Sequence, residues 1–283
     1  MATTIDIKDQ QREQWRDAAD AWDRYFEWYS RAFAPVMTWC ADAIAAAPGM
    51  RVLDVAAGSG QPALTIAPRI QPGGTILGID FSPEMVAVAE RRGRQAGASH
   101  VSFSTMDAER LELSDASFDA VTCACGLIFF PDAHRALAEM RRVLKPGGRI
   151  AIVVWDEPSK SPFVTVGGGA ISRFHAPTPP HPNSPGAFRF AKPAVLERVL
   201  RDAGFDDVTI ASVAMPIEFE STQEYWEMFT ECAAGIKTKI SVLSNEDQLR
   251  LRGLMDELAA PHIVNGRMRL ESMPLCAAAR RLV

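Results

Sequence analysis

The sequence predicts an α/β fold in which a mostly parallel sheet is flanked by helices. Three observations carry this reading. Between residues 50 and 155, short apolar runs alternate with helical stretches. Several of those runs are apolar without alternation, as strands covered on both faces must be. Residues 51–80 read as a strand, a tight glycine turn, a helix and a strand ending in an acid. That is the opening βαβ unit of a nucleotide-binding sheet.

The chain has 283 residues, enough for one large α/β domain with an added cap. Its apolar share is 47% and its charged share 23%, as in an ordinary soluble globular protein. A net charge of −5 leaves no global basic footprint, so nucleic acid is not an expected partner. No run of eighteen apolar residues occurs, so no membrane span is expected. Residues 1–14 are polar and lack the apolar stretch of a secretory signal. Cys40, Cys123, Cys125, Cys232 and Cys276 are scattered and odd in number, which suits a reducing cytoplasm. No His, Asp, Glu or Cys set has metal-ligand spacing, so no metal is expected.

Residues 6–47 read as helical. Trp15, Ala18, Ala19, Trp22, Tyr25, Phe26 and Tyr29 recur at spacings of three and four and mark one apolar face. Pro35 interrupts, and a second helix is expected over 36–47. The aromatic face packs on the main domain or serves as a lid over a ligand, with Tyr25 or Tyr29 offering a hydroxyl. From residue 50, strands are expected at 51–55, 75–79, 101–104, 118–123 and 149–155. Helices are expected after Pro62, over 84–96 with Ser82 as N-cap, and over 133–144 with Asp132 as N-cap. Lys145-Pro146-Gly147-Gly148 reads as the stop of that helix.

The texture changes at residue 156. Residues 156–190 are rich in proline and glycine and read as a loop-rich insertion with one short helix around 163–174. A helix over 192–203, a strand over 208–219, helices over 225–236 and 245–258, and a last strand within 268–282 complete the chain. The organisation expected is an N-terminal helical lid over 1–48 and a domain over 49–283. Within the latter lie a core over 49–155, the insertion over 156–190 and C-terminal strands and cap helices over 191–283.

Five motifs stand in order: 52–60 (Val-Leu-Asp-Val-Ala-Ala-Gly-Ser-Gly), 78–82 (Gly-Ile-Asp-Phe-Ser), Met106-Asp107-Ala108, 118–121 (Phe-Asp-Ala-Val) and 142–148 (Arg-Val-Leu-Lys-Pro-Gly-Gly). Together they resemble a class I S-adenosylmethionine-dependent methyltransferase, in the small-molecule branch that includes the quinone C-methyltransferases. The resemblance implies a Rossmann-like seven-stranded, mostly parallel sheet with S-adenosyl-L-methionine as cofactor. It implies that Asp54 meets the methionine amino group and that Gly58 and Gly60 lie under the methionine and ribose. Asp80 takes the ribose hydroxyls, Phe81 and Met85 pack on adenine, and Asp107 accepts from its exocyclic amine, with Met106 and Ala108 beside it. Cys123 to Gly126 follow the fourth core strand, at the mouth of the sheet beside the methionine end. Ala56 departs from the pattern, because the family usually has glycine there.

The acceptor is expected to be a small organic molecule, methylated at O, N or C by in-line displacement. Its pocket is placed among Tyr25, Tyr29, Cys125, Phe129 and the insertion. His134 is the candidate general base, with His175 and His181 behind it. Cys123 and Cys125 read either as small buried residues or as a thiol pair for a soft metalloid. Two other readings stay open. Gly58-Ser59-Gly60-Gln61-Pro62-Ala63 also fits an NAD(P)-dependent oxidoreductase, although Asp54 in the first strand argues against it. A cofactor-binding protein with a non-methylating role is the other. The sequence leaves a homodimer open.

Overall fold

In a computed structural model, residues 4–175 and 184–282 are described. The main sheet is built from β1 (Arg51–Val55), β2 (Thr75–Asp80), β3 (Val101–Thr105), β4 (Phe118–Ala124), β5 (Leu144–Val154), β6 (Asp206–Ser212) and, last in the chain, Leu275–Arg280. Three strands of a separate small sheet intervene: β7 (Met215–Phe219), β8 (Ile263–Val264) and β9 (Arg267–Ser272), which makes the last strand β10. The order in the large sheet is β3-β2-β1-β4-β5-β10-β6. Its first five strands pair in parallel, and β10 runs antiparallel between β5 and β6. This is the expected seven-stranded, mostly parallel sheet.

Helices α1 (Thr4–Arg24), α2 (Phe26–Ala32) and α3 (Ala34–Ala43) precede it; α4 (Ala63–Ile66), α5 (Pro83–Gln95) and α6 (Ala133–Val143) connect the core strands. Helices α7 (Pro162–His175) and α8 (Pro193–Asp202) follow β5, and α9 (Thr222–Cys232), α10 (Ile236–Ser241) and α11 (Asn245–Ala259) lie between β7 and β8. Side-chain caps explain several starts. Ser82 Oγ accepts from Met85 N–H and Asp132 Oδ1 from Arg135 N–H, which satisfies donors that a first helical turn leaves open.

The structure corrects several expected elements. The two helices expected over 6–47 are three, and Pro35, the expected interruption, lies in the first turn of α3, where its missing N–H costs no bond. The helix after Pro62 is a single turn, continued by a 3-10 turn at Ala67–Ile70. Strand β5 begins at Leu144, because Leu144 already pairs with Phe118; the 145–148 stretch therefore lies inside a strand.

The expected strands over 208–219 and 268–282 are each two strands in different sheets. β7 and β9 pair with each other and bury alternate residues, Met215, Ile217 and Phe219 against Met268 and Leu270. That period of two gives the small sheet one apolar face. It is a cap inserted over residues 213–274, between β6 and β10.

Helix α7 binds the insertion to this cap. Tyr225, on α9, donates its hydroxyl to the Phe163 carbonyl and accepts from Gly167 N–H, both at 2.9 Å. Phe163 N–H donates to the buried Ser272 hydroxyl. A side chain at Gly167 would meet the Phe229 ring at 2.5 Å, so glycine there permits α7 to lie against α9. Helix α1 bridges core and cap. Its Ala18 and Ala19 pack on Met85 and Val88 of α5, and Trp22 Nε1 donates to the Cys232 carbonyl of α9.

Candidate functional site

The C-terminal ends of β1, β2, β3 and β4 converge on one edge of the sheet, where side-by-side parallel strands leave a crevice. Asp54 is near the end of β1 and fully buried. It pairs in register with Thr122 of β4, whose hydroxyl donates to Asp54 Oδ1 at 2.7 Å; Ala63 N–H donates to Oδ2 at 3.1 Å. Burial raises its carboxyl to about 7, against the lowering effect of those two hydrogen bonds.

The turn after β1 folds under Asp80. Gly58 N–H donates to Asp80 Oδ2 at 2.9 Å, and Ser82 N–H to Oδ1 at 3.0 Å. Burial raises the Asp80 carboxyl too, opposed by these backbone donors. Gly58 and Gly60 both have positive φ, 51° and 113°, which a residue without Cβ adopts freely. Ala56 is also left-handed, at φ 57°, which costs an alanine about 1–2 kcal/mol. Its methyl has a place because residue 126 is glycine: a Cβ there would lie 2.5 Å from the Ala56 Cβ.

Asp107 follows β3. Its Oδ1 accepts from Glu109 N–H at 2.9 Å, and its Oδ2 accepts from Lys8 Nζ at 2.7 Å. Lys8 also reaches Glu109 Oε2 at 2.6 Å. Burial lowers the affinity of Lys8 for its proton, but hydrogen bonds to Asp107 and Glu109 outweigh this and hold the ammonium above its ordinary range. Phe81 carries the Arg12 guanidinium over its ring at 4.2 Å. Met106 N–H donates to the Asp80 carbonyl, and Ala108 is buried beside Asp107. Met85 is buried in the contact between α1 and α5, so its packing partners in this structure are helical side chains.

At the other end of the crevice, Cys123 is fully buried and Cys125 part-exposed at φ 58°. Burial pushes the Cys125 thiol up to about 12 and Cys123 higher, so both are thiols at neutral pH. Beside them an aromatic wall joins helices α1 and α2 to the cap. Trp15 meets Phe129 edge-on at 5.2 Å, Trp22 stacks on Tyr29 at 4.2 Å, and Trp28 stacks on Phe219 at 4.8 Å. Tyr25 is part-exposed, and burial raises its hydroxyl pKa. The Tyr29 hydroxyl is turned to Met228 Sδ of α9 at 3.3 Å.

His134 is not brought to this site. Helix α6 buries Ala133, Ala136, Leu137 and Met140, and His134 lies on the exposed face. His175 is also exposed, and His181 lies outside the described residues. Thr122, Lys8, Arg12 and Glu109 were not among the expected site residues. Lys8 and Arg12 extend the stripe of Trp15, Ala19 and Trp22 toward the N-terminus at spacings of three and four, which is the signal that could have found them.

A glycine turn, an acid at each of the first three strand ends and an antiparallel strand next to the sheet's edge make this core similar to that of the class I S-adenosylmethionine-dependent methyltransferases. Residues 36–165 match the family model of the ubiE/COQ5 methyltransferase family, which relates this core to the quinone C-methyltransferase group. Demethylmenaquinone methyltransferase of Deinococcus radiodurans is 44% identical over 137 residues, 48% of this chain and 53% of the relative. Ubiquinone/menaquinone biosynthesis C-methyltransferase UbiE of Geobacter sulfurreducens is 37% identical over 163 residues, 53% and 59% of the two chains. The chain spans about half the length of the curated relatives it matches. The solved structure of the (4+2)-cyclase SpnF is similar, with a TM-score of 0.55 and 25% identity over 88% of this chain and 80% of that one. The oxidoreductase reading is not favoured by these comparisons. No described helix is long and apolar enough to cross a membrane.

Proposed function

We propose that this chain binds S-adenosyl-L-methionine along the crevice and directs its methyl group to a small, ring-containing organic acceptor. The observation that carries the reading is the row of three carboxylates, Asp54, Asp80 and Asp107, spaced along strand ends around a left-handed turn. The polar groups they would serve are an ammonium, a pair of ribose hydroxyls and an adenine amine. All three can donate, and the site offers acceptors. When bound, the cofactor supplies an electrophilic methyl on a sulfonium.

The chain's own part is binding, orientation and exclusion of water. Asp54 balances charge at the amino-acid end. Asp80 fixes the turn through Gly58 N–H and retains lone pairs for the ribose. The aromatic wall closes the acceptor side with apolar surface, which suits a flat apolar ring. Cys123, Cys125 and Tyr29 hold their protons at neutral pH, so an acceptor placed there must bring its own nucleophilicity. The quinone chemistry in the relatives' names fits such an acceptor. A cytoplasmic location and a homodimer accord with this reading without being required by it.

Titration calorimetry with S-adenosylhomocysteine and with NAD tests the cofactor. Micromolar binding of S-adenosylhomocysteine alone is expected; binding of NAD alone would overturn the proposal. A screen of quinols and phenols with labelled cofactor tests transfer. A protein that binds cofactor and transfers no methyl would instead favour the non-methylating reading, which the likeness to a cyclase motivates.

A further inference from the structure

We propose that the N-terminal half of α1 is the outer wall of the adenosine subsite, and that Lys8 is the residue that holds this wall shut. The inference rests on the crevice being a S-adenosylmethionine site. It is carried by the way one helical face meets the crevice at successive points. Lys8 bridges Asp107 at 2.7 Å and Glu109 at 2.6 Å, with its side chain 21% exposed and that of Glu109 6%. One turn on, Arg12 lies over Phe81. A further turn on, Trp15 meets Phe129, just after β4. Residues 8 to 15 rise about 10 Å along a helix axis. That single stripe therefore touches the residues expected around adenine at one end and the turn beside the methionine end at the other.

The wall is anchored on both sides. Glu109 also accepts from Asp132 N–H at 2.8 Å through Oε1, so Lys8 ties α1 to the start of α6 as well as to Asp107. At the far end of α1, Asp23 takes Arg91 at 2.6 Å and Arg92 at 2.7 Å. Those contacts lie beyond the crevice and fix the C-terminal half of the helix on α5. The N-terminal half has Lys8 as its inward-facing charged tie. Each Asp107 oxygen has two lone pairs, so Oδ2 can keep the ammonium and still accept from an adenine amine. Lys8 then orients the carboxylate and closes the helix over the ring, as a positioning residue. A nucleoside leaving the crevice must first break this tie or slide past Arg12.

The test uses the full chain and S-adenosylhomocysteine, with calorimetry for affinity and hydrogen exchange for α1. Lys8→Ala is expected to bind at least about tenfold more weakly, as removal of a charge-assisted bond between part-buried groups does. Lys8→Arg is expected to recover part of that loss. In the unmodified chain, adding ligand slows exchange of amides 5–16; in Lys8→Ala it does so much less. An unchanged melting temperature shows that the variant is folded. Equal affinity and equal α1 protection in Lys8→Ala would overturn the inference. So would tighter binding, because Lys8 would then be a competitor of the adenine amine. Failure of the unmodified chain to bind S-adenosylhomocysteine overturns the cofactor assignment itself, and is told apart by the absence of any heat before a variant is made.

Discussion

Asp54 gives the site a measurable pH signature. It is fully buried, and desolvation raises its carboxyl from 3.8 to about 7. In the unfolded chain the group ionises near its ordinary value. Below about pH 4 both states hold the proton and Asp54 adds no pH dependence. Between about 4 and 7 the unfolded chain has released it and the folded chain has not. Folding stability then falls with rising pH by about 1.4 kcal/mol per unit, about 4 kcal/mol in all, and levels above 7. A ligand ammonium beside Asp54 favours the carboxylate, so binding expels the proton. The dissociation constant of S-adenosylhomocysteine should fall about tenfold per pH unit from 5.5 to 7 and then flatten. Calorimetry in buffers of different ionisation enthalpy should show close to one proton released near pH 6. Asp54→Asn can turn its carbonyl to Ala63 N–H and its amide to the Thr122 oxygen, preserving the fold while removing the titration. That variant should lose the slope, bind weakly and show no Asp54-linked fall in stability. A flat dissociation constant with no proton release, or a slope that survives in Asp54→Asn, would refute the assignment of Asp54 to the ammonium.

The remaining predictions concern packing. Gly126→Ala brings a methyl to 2.5 Å from Ala56 Cβ and 2.9 Å from Cys123 Sγ, and should cost about 1–3 kcal/mol in chemical denaturation. Adding Ala56→Gly should return part of that loss; strictly additive effects would show that the two residues do not share the space. Tyr225→Phe strips partners from the buried Phe163 carbonyl and Gly167 N–H. It should lower stability by about 2 kcal/mol, read as a lower melting temperature. With Cys40, Cys123, Cys232 and Cys276 buried and Cys125 pushed up to about 12, a disulfide reagent at pH 8 should react slowly with the native protein. All five thiols should react once it is unfolded.

The core was readable because its signals are local. The strand, turn and acid of residues 51–80 fall within one βαβ unit, and their spacing survives folding unchanged. The cap was not readable as a second sheet. Val213-Ala214 and Met273-Pro274 separate strands that leave for different sheets, and a two-residue break does not by itself mark a change of sheet. His134 stood at the right place in the chain and on the wrong side of a helix, because Ala133 and Leu137 take the buried face of α6. Lys8 lies 99 residues from Asp107. No spacing rule joins them, although the helical stripe that carries Lys8 was visible. Thr122 meets Asp54 through strand register, which a sequence shows only after the sheet order is known.

The position of β10 sets a timetable for folding. β5 and β6 do not pair with each other; each pairs with β10 from opposite sides. When the ribosome has delivered both of them, the slot between is still open, and its occupant emerges only after residues 213–274 have been made. Closing a sheet around a distant strand is a non-local step, slow on topological grounds. Meanwhile the cap's β9 ends two residues before β10 begins. A cap already folded against α7 would hold the missing strand beside its gap and shorten the search. The nascent chain is thus exposed at two unpaired strand edges until that moment, and chaperone demand during synthesis should concentrate in the interval between the appearance of β6 and that of β10.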